Sequence, residues 1–183
     1  MTFDHSKEVL ILTGPPGSGK TTTAGSLAQL AGSPKVHLHS DDFWRFIKNG
    51  AIAPYLPESH VQNQVVMDAL SRTVSAFAEG GYFVILDGII GPWFLSAFEG
   101  ATVPVHYIVL RPPLDIAIER CQQRGGDTLV DPVAIGSLHR QFSSLGAMEQ
   151  HVLTTLNDSP SQLLGRLVNA VEAGTYVLRP GWK

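Results

Sequence analysis

The stretch ILTGPPGSGKTT, residues 11–22, decides the fold because its glycine-rich turn joins an apolar run to a helical pattern. It contains the spacing G-x-x-x-x-G-K-[ST], which ends on Lys20 and Thr21. Glycines let consecutive backbone amides turn inward around a phosphate, and the following helix adds the positive end of its dipole. The spacing therefore predicts a nucleotide site in which Lys20 contacts the outer phosphates and the Thr21 hydroxyl binds Mg²⁺. The predicted nucleotide contacts in this stretch are Gly14, Pro15, Pro16, Gly17, Ser18, Gly19, Lys20, Thr21 and Thr22.

Short apolar runs alternate with helical patterns along the rest of the chain. The stretches YFVIL and VHYIVL are nearly unbroken β-branched and aromatic runs, which is typical of strands covered on both faces. The alternation predicts one α/β domain over residues 1–183, with a parallel sheet between two layers of helices. The final stretch, 174–183, is compatible with an edge strand or with a loose end. The predicted strands are 8–13, 36–39, 82–87, 103–110 and 151–156, and the predicted helices are 19–31, 58–79, 113–124, 132–145 and 160–173.

Composition and charge limit the partners that the protein could bind and the cellular compartment that we expect for it. The net charge is −3 and the lysines and arginines are scattered, which argues against broad binding to nucleic acid or to an anionic membrane. A single cysteine excludes an internal disulfide and fits a reducing compartment. The beginning of the chain has only a four-residue apolar run, VLIL, too short for a signal peptide core. We therefore expect a cytoplasmic protein without a membrane anchor.

The class of nucleotide-binding protein can be narrowed from the residues present. An Asn/Thr-Lys-x-Asp tetrapeptide, which a GTPase needs to read guanine, does not occur, and 183 residues leave no room for the appended helical domain of a remodelling ATPase. Small phosphotransferases remain, and these need a mobile cover that carries arginines. Arg120 and Arg124 are four residues apart, so a helix would place them on one face. Because a glycine pair follows, the spacing predicts a lid at about 120–131.

Two adjacent carboxylates, Asp41 and Asp42, follow the second predicted strand. Ligands of a parallel α/β sheet gather beyond the carboxyl ends of its strands, where the phosphate loop also lies. One carboxylate can accept the proton of an acceptor hydroxyl while the other holds Mg²⁺. We prefer Asp41 as the base and Asp42 as the metal or acceptor partner, and the reverse assignment stays open. A helix-capping role for one of them also stays open.

These motifs resemble those of the P-loop small-molecule kinases, a group that includes nucleoside monophosphate, gluconate, shikimate and chloramphenicol kinases. The resemblance covers nearly the whole chain and rests on the phosphate loop and the Arg-x-x-x-Arg pair. The stretch SDDFW resembles the Asp-Asp-Phe-Tyr element of uridine kinases, and SDDFWRFIKNGAIAPY (40–55) is similar to the acceptor region of zeta-toxin-type kinases.

The resemblance implies a three-layer P-loop NTPase fold, a five-stranded parallel sheet in the order 2-3-1-4-5, and ATP and Mg²⁺ as cofactors. It also implies that Arg120 lies on the adenine ring and that Arg124 meets the transferred phosphoryl group. Asp87 closes the third predicted strand and resembles a Walker B aspartate. Thr21 and either Asp42 or Asp87 would therefore contact the metal. The catalytic residues implied are Lys20, Asp41 and Arg124.

The acceptor region, about 41–79, contains few cations and many aromatic residues. Asp87 is followed by Ile-Ile-Gly-Pro-Trp rather than by the Phe-Pro-Arg of nucleoside monophosphate kinases, so an arginine for an acceptor phosphate is missing. Between residues 41 and 71 the only lysine or arginine residues are Arg45 and Lys48. The aromatic residues expected around the acceptor are Phe43, Trp44, Phe46, Tyr55, Trp93 and Phe94, and the predicted substrate contacts are Asp41, Asp42, Phe43, Arg45 and Asp87.

We therefore expect transfer of the γ-phosphoryl group of MgATP to a hydroxyl of a small, uncharged molecule. One alternative is a nucleoside or nucleoside monophosphate kinase of the cytidylate type, and another is a regulator that binds ATP without catalysis. The expected partners are ATP and a small-molecule acceptor, and the chain would be a monomer or a homodimer. The sequence does not identify the acceptor.

Two histidines, His37 and His39, lie on one face of the second predicted strand, since side chains repeat every two residues. Without further ligands at a suitable spacing, we interpret them as hydrogen-bonded residues of the crevice rather than as a metal site. Cys121 is interpreted as a small buried residue of the lid helix.

Overall fold

Five parallel strands form a single sheet in the order β2-β3-β1-β4-β5 in the computed structural model, which describes residues 2–124, 129–156 and 158–179. The predicted α/β class and the strand order 2-3-1-4-5 are confirmed. The order places β1, which leads into the phosphate loop, between β3 and β4. The strands are β1 (Val9–Thr13), β2 (Lys35–His39), β3 (Phe83–Gly88), β4 (Val105–Arg111) and β5 (Val152–Thr154).

The helices differ from the predicted ones mainly at their ends. The first predicted helix already ends at Ala28, and the fourth, predicted to run to 145, ends at Gln141. A short helix over SDDFWR was not predicted as an element. Within the described ranges no helix combines the length and apolar character needed to cross a bilayer. The helices are α1 (Lys20–Ala28), α2 (Ser40–Arg45), α3 (His60–Glu79), α4 (Leu114–Arg124), α5 (Pro132–Gln141) and α6 (Pro160–Glu172), with 3-10 segments at Pro57–Ser59, Pro92–Phe98 and Gly146–His151.

Proline and a capping side chain begin both α5 and α6. The Asp131 carboxylate accepts a hydrogen bond from the Val133 amide, 3.0 Å away. The Ser159 hydroxyl accepts one from the Gln162 amide, and the Gln162 side chain accepts one from the Ser159 amide, which completes a capping box. These contacts satisfy amides that have no partner within the helix, so the beginnings of both helices follow from local sequence.

The sheet is covered on both faces, which gives the domain three layers. Side chains point alternately to the two faces of each strand, and in β1 all five residues are buried. One face packs against α3 and the other against α1 and α6. Buried residues of the α3 face include Ile11, Leu70, Val74, Leu86 and Tyr107, and those of the opposite face include Leu12, Leu27, Ile85, Leu167 and Val171.

The described part of the C-terminal stretch lies beside β4. The Tyr107 amide donates to the Tyr176 carbonyl at 2.9 Å, and the Leu178 amide donates to the Val105 carbonyl at 2.8 Å. This antiparallel contact uses the end of β4 that β5 does not reach. The stretch is therefore a very short edge addition as far as residue 179, and residues 180–183 lie outside the described residues.

Replacing Leu86 by alanine is expected to lower the free energy of unfolding by about 2 to 5 kcal/mol, because the change removes buried apolar atoms and leaves a cavity in the core. Leu86 is fully buried in β3, beneath α3. Urea denaturation at equilibrium would measure the change. Val133→Ala, at a side chain that is 77% exposed, is the control and should change the value by no more than about 0.5 kcal/mol. Equal losses in the two variants would contradict the proposed core.

Candidate active site

The phosphate loop, residues 14–21, leaves β1 and enters α1 with three glycines at positive φ, among them Gly17 at 75° and Gly19 at 89°. Side chains rarely adopt these angles, so the turn depends on glycine. A Cβ atom on Gly17 would also collide with the Ala117 carbonyl oxygen of α4. The loop is therefore braced from outside by the helix that carries Arg120 and Arg124.

The interior of the loop offers donors suited to a phosphate. Ser18 is fully buried, and its hydroxyl has no hydrogen-bond partner among the described residues. The Lys20 ammonium donates to the Pro15 carbonyl at 3.0 Å, so it bends back over the loop. An unpartnered hydroxyl, a lysine and a turn of glycines fit a bound phosphate chain. Of the other predicted contacts, Pro16 is half-buried and Thr22 is exposed in the first turn of α1.

Lys20 is the electrostatic centre of the site. Burial lowers the pKa of its ammonium to about 8, although the nearby carboxylates of Asp87 and Asp41 act in the opposite direction. The positive charge of Arg124 adds to the lowering. The charges of Asp41 and Arg124, two of the residues predicted to be catalytic, therefore act on the third, Lys20, together with the charge of Asp87.

Thr21 and Asp87 meet at the base of the loop. The Thr21 hydroxyl donates to Asp87 Oδ2 at 2.5 Å, which links α1 to the end of β3. Burial raises the pKa of the Asp87 carboxyl, but hydrogen bonds from His37 and Thr21 and the charge of His39 outweigh it and lower the pKa below its usual value. A hydroxyl beside an ionised carboxylate is a pair of hard oxygen ligands, so these two residues fit Mg²⁺.

His37 and His39 both approach the other oxygen of Asp87. His37 Nε2 is 2.9 Å and His39 Nδ1 is 2.6 Å from Oδ1. In the parallel register His39 lies directly opposite Asp87, and His37 is two residues earlier on the same face. No partner for the two histidines was predicted from the sequence, because the pairing of β2 with β3 cannot be read from either strand alone.

The adjacent aspartates at the start of α2 face different surroundings. Asp41 borders a large cavity and acts electrostatically on Lys20. Asp42 is 3.3 Å from Arg45, and both of these side chains are largely exposed. The residue that precedes α2 is His39, so neither aspartate caps the helix. Of the two, Asp41 is the one that joins the phosphate side to the cavity.

Close packing fixes α2 beside β3. Any Cβ atom on Gly88, the last residue of β3, would overlap the buried Ser40 side chain. The Ser40 hydroxyl in turn donates to Asp41 Oδ1 at 3.4 Å. Since Gly88 directly follows Asp87, this contact holds the two carboxylates at neighbouring points of one crevice.

The cavity beside Asp41 has a volume of about 1250 Å³ and is bordered by α2, α3, α5 and the segment Pro92–Phe98. Four of the six predicted aromatic residues line it, namely Trp44, Tyr55, Trp93 and Phe94. The other two do not line it: Phe43 packs against the core, and Phe46 is 67% exposed.

A buried asparagine holds the cavity wall in place. Asn63 accepts a hydrogen bond from the Trp44 indole at 2.8 Å. Its amide donates to the Pro54 carbonyl at 2.8 Å and to the Ser59 hydroxyl at 2.9 Å. One side chain of α3 therefore fixes both the aromatic ring of α2 and the loop before α3.

Several wall residues were missed from the sequence. His60, Asn63, Gln64, Met67 and Asp68 all line the cavity from α3. Their spacing of three and four residues is that of a single helical face, a signal that was present in the sequence. Leu138 and Gln141 line the cavity from α5. No sequence pattern indicated this position, because only the tertiary fold brings α5 to the cavity.

Arg120 and Arg124 border different parts of the nucleotide side. Arg120 lines a smaller cavity of about 270 Å³ together with Leu156 and Asp158, which follow β5. Arg124 is exposed at the end of α4, close enough to influence Lys20. Burial raises the pKa of the Cys121 thiol between them, in line with a small buried residue. The predicted lid, about 120–131, lies in part outside the described residues, since 125–128 are not among them.

A glycine loop between a buried strand and a helix, with an aspartate closing the neighbouring strand, defines a P-loop domain. The chain belongs to the AAA domain family, whose model matches residues 10–129. Searching the curated proteins finds no match to this sequence.

Solved structures share the fold at low sequence identity. A sugar kinase from Janibacter sp. HTCC2649 aligns with a TM-score of 0.67 and 19% identity over 97% of this chain and 98% of that chain. The tunicamycin resistance protein of Deinococcus radiodurans aligns with a TM-score of 0.65 and 20% identity over 94% of this chain and 99% of that chain. A chain of the Pnkp1/Rnl/Hen1 RNA repair complex aligns with a TM-score of 0.57 and 22% identity over 77% of this chain. The alignment covers only 44% of the length of that RNA repair chain. The chain therefore shares the fold of these solved structures, among them a sugar kinase.

Lys20→Met is expected to stabilise the nucleotide-free protein at pH 7 while removing its affinity for ATP. Because burial lowers the Lys20 pKa from 10.5 to about 8, the folded state carries the cost of a buried ammonium at pH 7. Removing that cost should raise the free energy of unfolding by on the order of 1 to 3 kcal/mol. Between pH 8 and 10.5 the folded wild type releases this proton while the unfolded chain keeps it, so the advantage of the variant should shrink.

Urea unfolding at pH 7 and near pH 10 would measure this difference. Lys48→Met, at an exposed lysine, is the matched control and should leave stability within about 0.5 kcal/mol at both pH values. A Lys20→Met variant that is less stable than the wild type at pH 7 would contradict the electrostatic account.

Proposed function

We propose that this protein is an ATP-dependent phosphotransferase that moves the γ-phosphoryl group of ATP to a hydroxyl of a small molecule without negative charge. The observation that carries the proposal is the position of Asp41. It borders the large cavity and lies within electrostatic reach of Lys20 in the phosphate loop. A carboxylate between an acceptor cavity and a phosphate site is the arrangement that a general base for phosphoryl transfer requires.

On the nucleotide side, each residue has a role that its surroundings support. The loop amides and Lys20 would hold the outer phosphates, and Thr21 with Asp87 would hold Mg²⁺. Arg120 would cover the adenine ring, since a planar guanidinium stacks well on an aromatic face. The small cavity that Arg120 shares with Leu156 and Asp158 supports this assignment.

Phosphoryl transfer needs positive charge where negative charge builds up. Lys20 and Arg124 would stabilise the equatorial oxygens of the transferred group. Asp41 would accept the proton of the acceptor hydroxyl as that oxygen attacks. Bound Mg²⁺ would neutralise charge on the phosphate chain and orient it. Arg124 would be brought nearer by closure of the lid, which also excludes water.

The charges of the large cavity favour an acceptor without a phosphate. Two carboxylates, Asp41 and Asp68, face it, and the arginine that lines it, Arg45, is 3.3 Å from Asp42. A nucleoside monophosphate would place its dianion near these carboxylates, and the arginine among the described lining residues already contacts Asp42. Aromatic side chains and the amide of Gln64 suit a ring-shaped body with hydroxyls.

Two other functions make different predictions for the same site. A nucleoside or nucleoside monophosphate kinase of the cytidylate type would share the nucleotide side and differ only in the acceptor. A regulator that uses ATP as a switch would need the phosphate loop but not Asp41. Variants of Asp41 and a panel of acceptors therefore separate the three functions.

Asp41→Asn is expected to lower kcat about 100- to 10,000-fold, the usual contribution of a general base. Affinity for ATP should change little, because the loop amides, Lys20 and Thr21 that would hold the phosphates are unchanged. Asp42→Asn should keep most of the activity, since Asp42 faces Arg45 rather than the cavity. Single-turnover transfer and ATP titration would measure the two quantities. Loss of activity in Asp42→Asn alone would assign the base to Asp42 and refute our choice.

The acceptor class can be tested by thermal unfolding with MgADP and a panel of hydroxyl-bearing metabolites. A true acceptor binds the folded state and raises Tm by mass action. We expect neutral or cationic ring-shaped alcohols to raise Tm and nucleoside monophosphates to leave it unchanged. Transfer of label from radioactive ATP would confirm each hit. Strong turnover of CMP alone would refute the proposed class.

A further inference from the structure

The surroundings of Asp87 contain more potential metal ligands than a phosphotransferase of this kind needs. Oδ2 already accepts the Thr21 hydroxyl, and this side of the carboxylate is the one assigned to Mg²⁺. Oδ1 is approached by His37 Nε2 at 2.9 Å and by His39 Nδ1 at 2.6 Å. The potential ligand atoms of the three residues lie within 4.8 Å of one another.

The backbone presents these ligands as a preformed set. His37 and His39 are on one face of β2, their ring centroids are 4.4 Å apart, and the register places Asp87 opposite His39. Asp87 is 2% exposed, whereas His39 is 42% exposed at the mouth of the crevice. An ion would therefore have a path to the site, and its ligands would need little rearrangement.

The chemistry of this donor set differs from that of the magnesium site. Imidazole nitrogens bind Zn²⁺, Co²⁺ and Ni²⁺ well, whereas Mg²⁺ prefers oxygen ligands and retains its waters. Two histidines with one carboxylate are a known ligand set for first-row transition metals. Lys20, whose ammonium interacts with Asp87, also has Asp41 as a compensating charge.

We propose that His37, His39 and Asp87 form a binding site for a divalent transition-metal ion, adjacent to the Mg²⁺ site and sharing Asp87 with it. Binding would require that the two ring nitrogens that approach Oδ1 carry no proton. Because Asp87 is shared, occupancy would couple transition-metal binding to phosphoryl transfer. Only this coupling rests on the proposed function, and the binding itself does not.

A second cluster, made of His5, Glu8 and His106, also combines two histidines with one carboxylate and provides an internal control. Glu8 Oε2 is 3.1 Å from His5 Nδ1 and 2.7 Å from His106 Nε2. His106, however, is 2% exposed, and its ring stacks edge-on to His5. The most exposed side chain of this cluster is Glu8 at 26%, against 42% for His39. The second cluster therefore offers an ion a poorer path, and we assign it a structural role.

Titration of tag-free, nucleotide-free protein with Co²⁺ at pH 7.5, followed by visible absorption, would test the proposal. We expect a single saturating equivalent, displaced by Zn²⁺ and retained in a large excess of Mg²⁺. His39→Asn and His37→Gln keep a hydrogen-bond donor for Asp87 but remove the ligand nitrogen. Each should weaken Co²⁺ binding by about 100-fold or more, since loss of even an outer-shell partner costs about 10- to 100-fold.

The matched control is His5→Asn, which makes the same exchange in the second cluster and should leave Co²⁺ affinity unchanged. Wild-type affinity in both His39→Asn and His37→Gln would overturn the proposal, and so would loss of binding in His5→Asn alone. Displacement of Co²⁺ by Mg²⁺ at similar concentration would overturn it as well. Because no nucleotide or acceptor is present, a failure here leaves the proposed phosphotransferase activity untouched, and the reverse is also true.

Discussion

The hydrogen bond from Thr21 to Asp87 is the contact on which the rest of the site depends. It joins the first turn of α1 to the end of β3, so it fixes the phosphate loop against the neighbouring strand. The contact is possible because the sheet order places β3 directly beside β1. Ligands of parallel sheets bind beyond the carboxyl ends of the strands, and here that edge gathers the loop, Asp87 and the start of α2.

Small residues make this gathering possible. Gly17 lets α4 approach the loop, and Gly88 lets Ser40 of α2 pack on the end of β3. Without these approaches Arg124 and Asp41 would be carried away from Lys20. The backbone therefore determines which charged groups can meet, and the charged groups then determine the chemistry.

Local chemistry made part of this structure predictable. The loop spacing predicted that Lys20 and Thr21 lie where the phosphate loop enters α1. The acid after an apolar run predicted that Asp87 lies at the end of β3. Both positions were predictable because each signal lies within one segment. The sheet order came from a resemblance to kinases, since no single strand encodes its neighbours. The contact of His37 and His39 with Asp87 and the approach of Leu138 to the cavity could not be predicted. Both arise only when segments distant in sequence pack together.

Asp41 and Asp42 are adjacent in sequence and have identical side chains, but their surroundings in the structure differ. On a helix, adjacent residues point about 100° apart, so only one of them can face a given crevice. Asp41, itself exposed to solvent, borders the cavity and acts electrostatically on Lys20, whereas Asp42 lies beside Arg45. Repulsion between the two carboxylates is thus reduced by direction as well as by nearby cations. In the phosphotransferase that we propose, Asp41 would be the carboxylate that takes a proton from the acceptor alcohol, because general-base catalysis requires contact with the reacting hydroxyl.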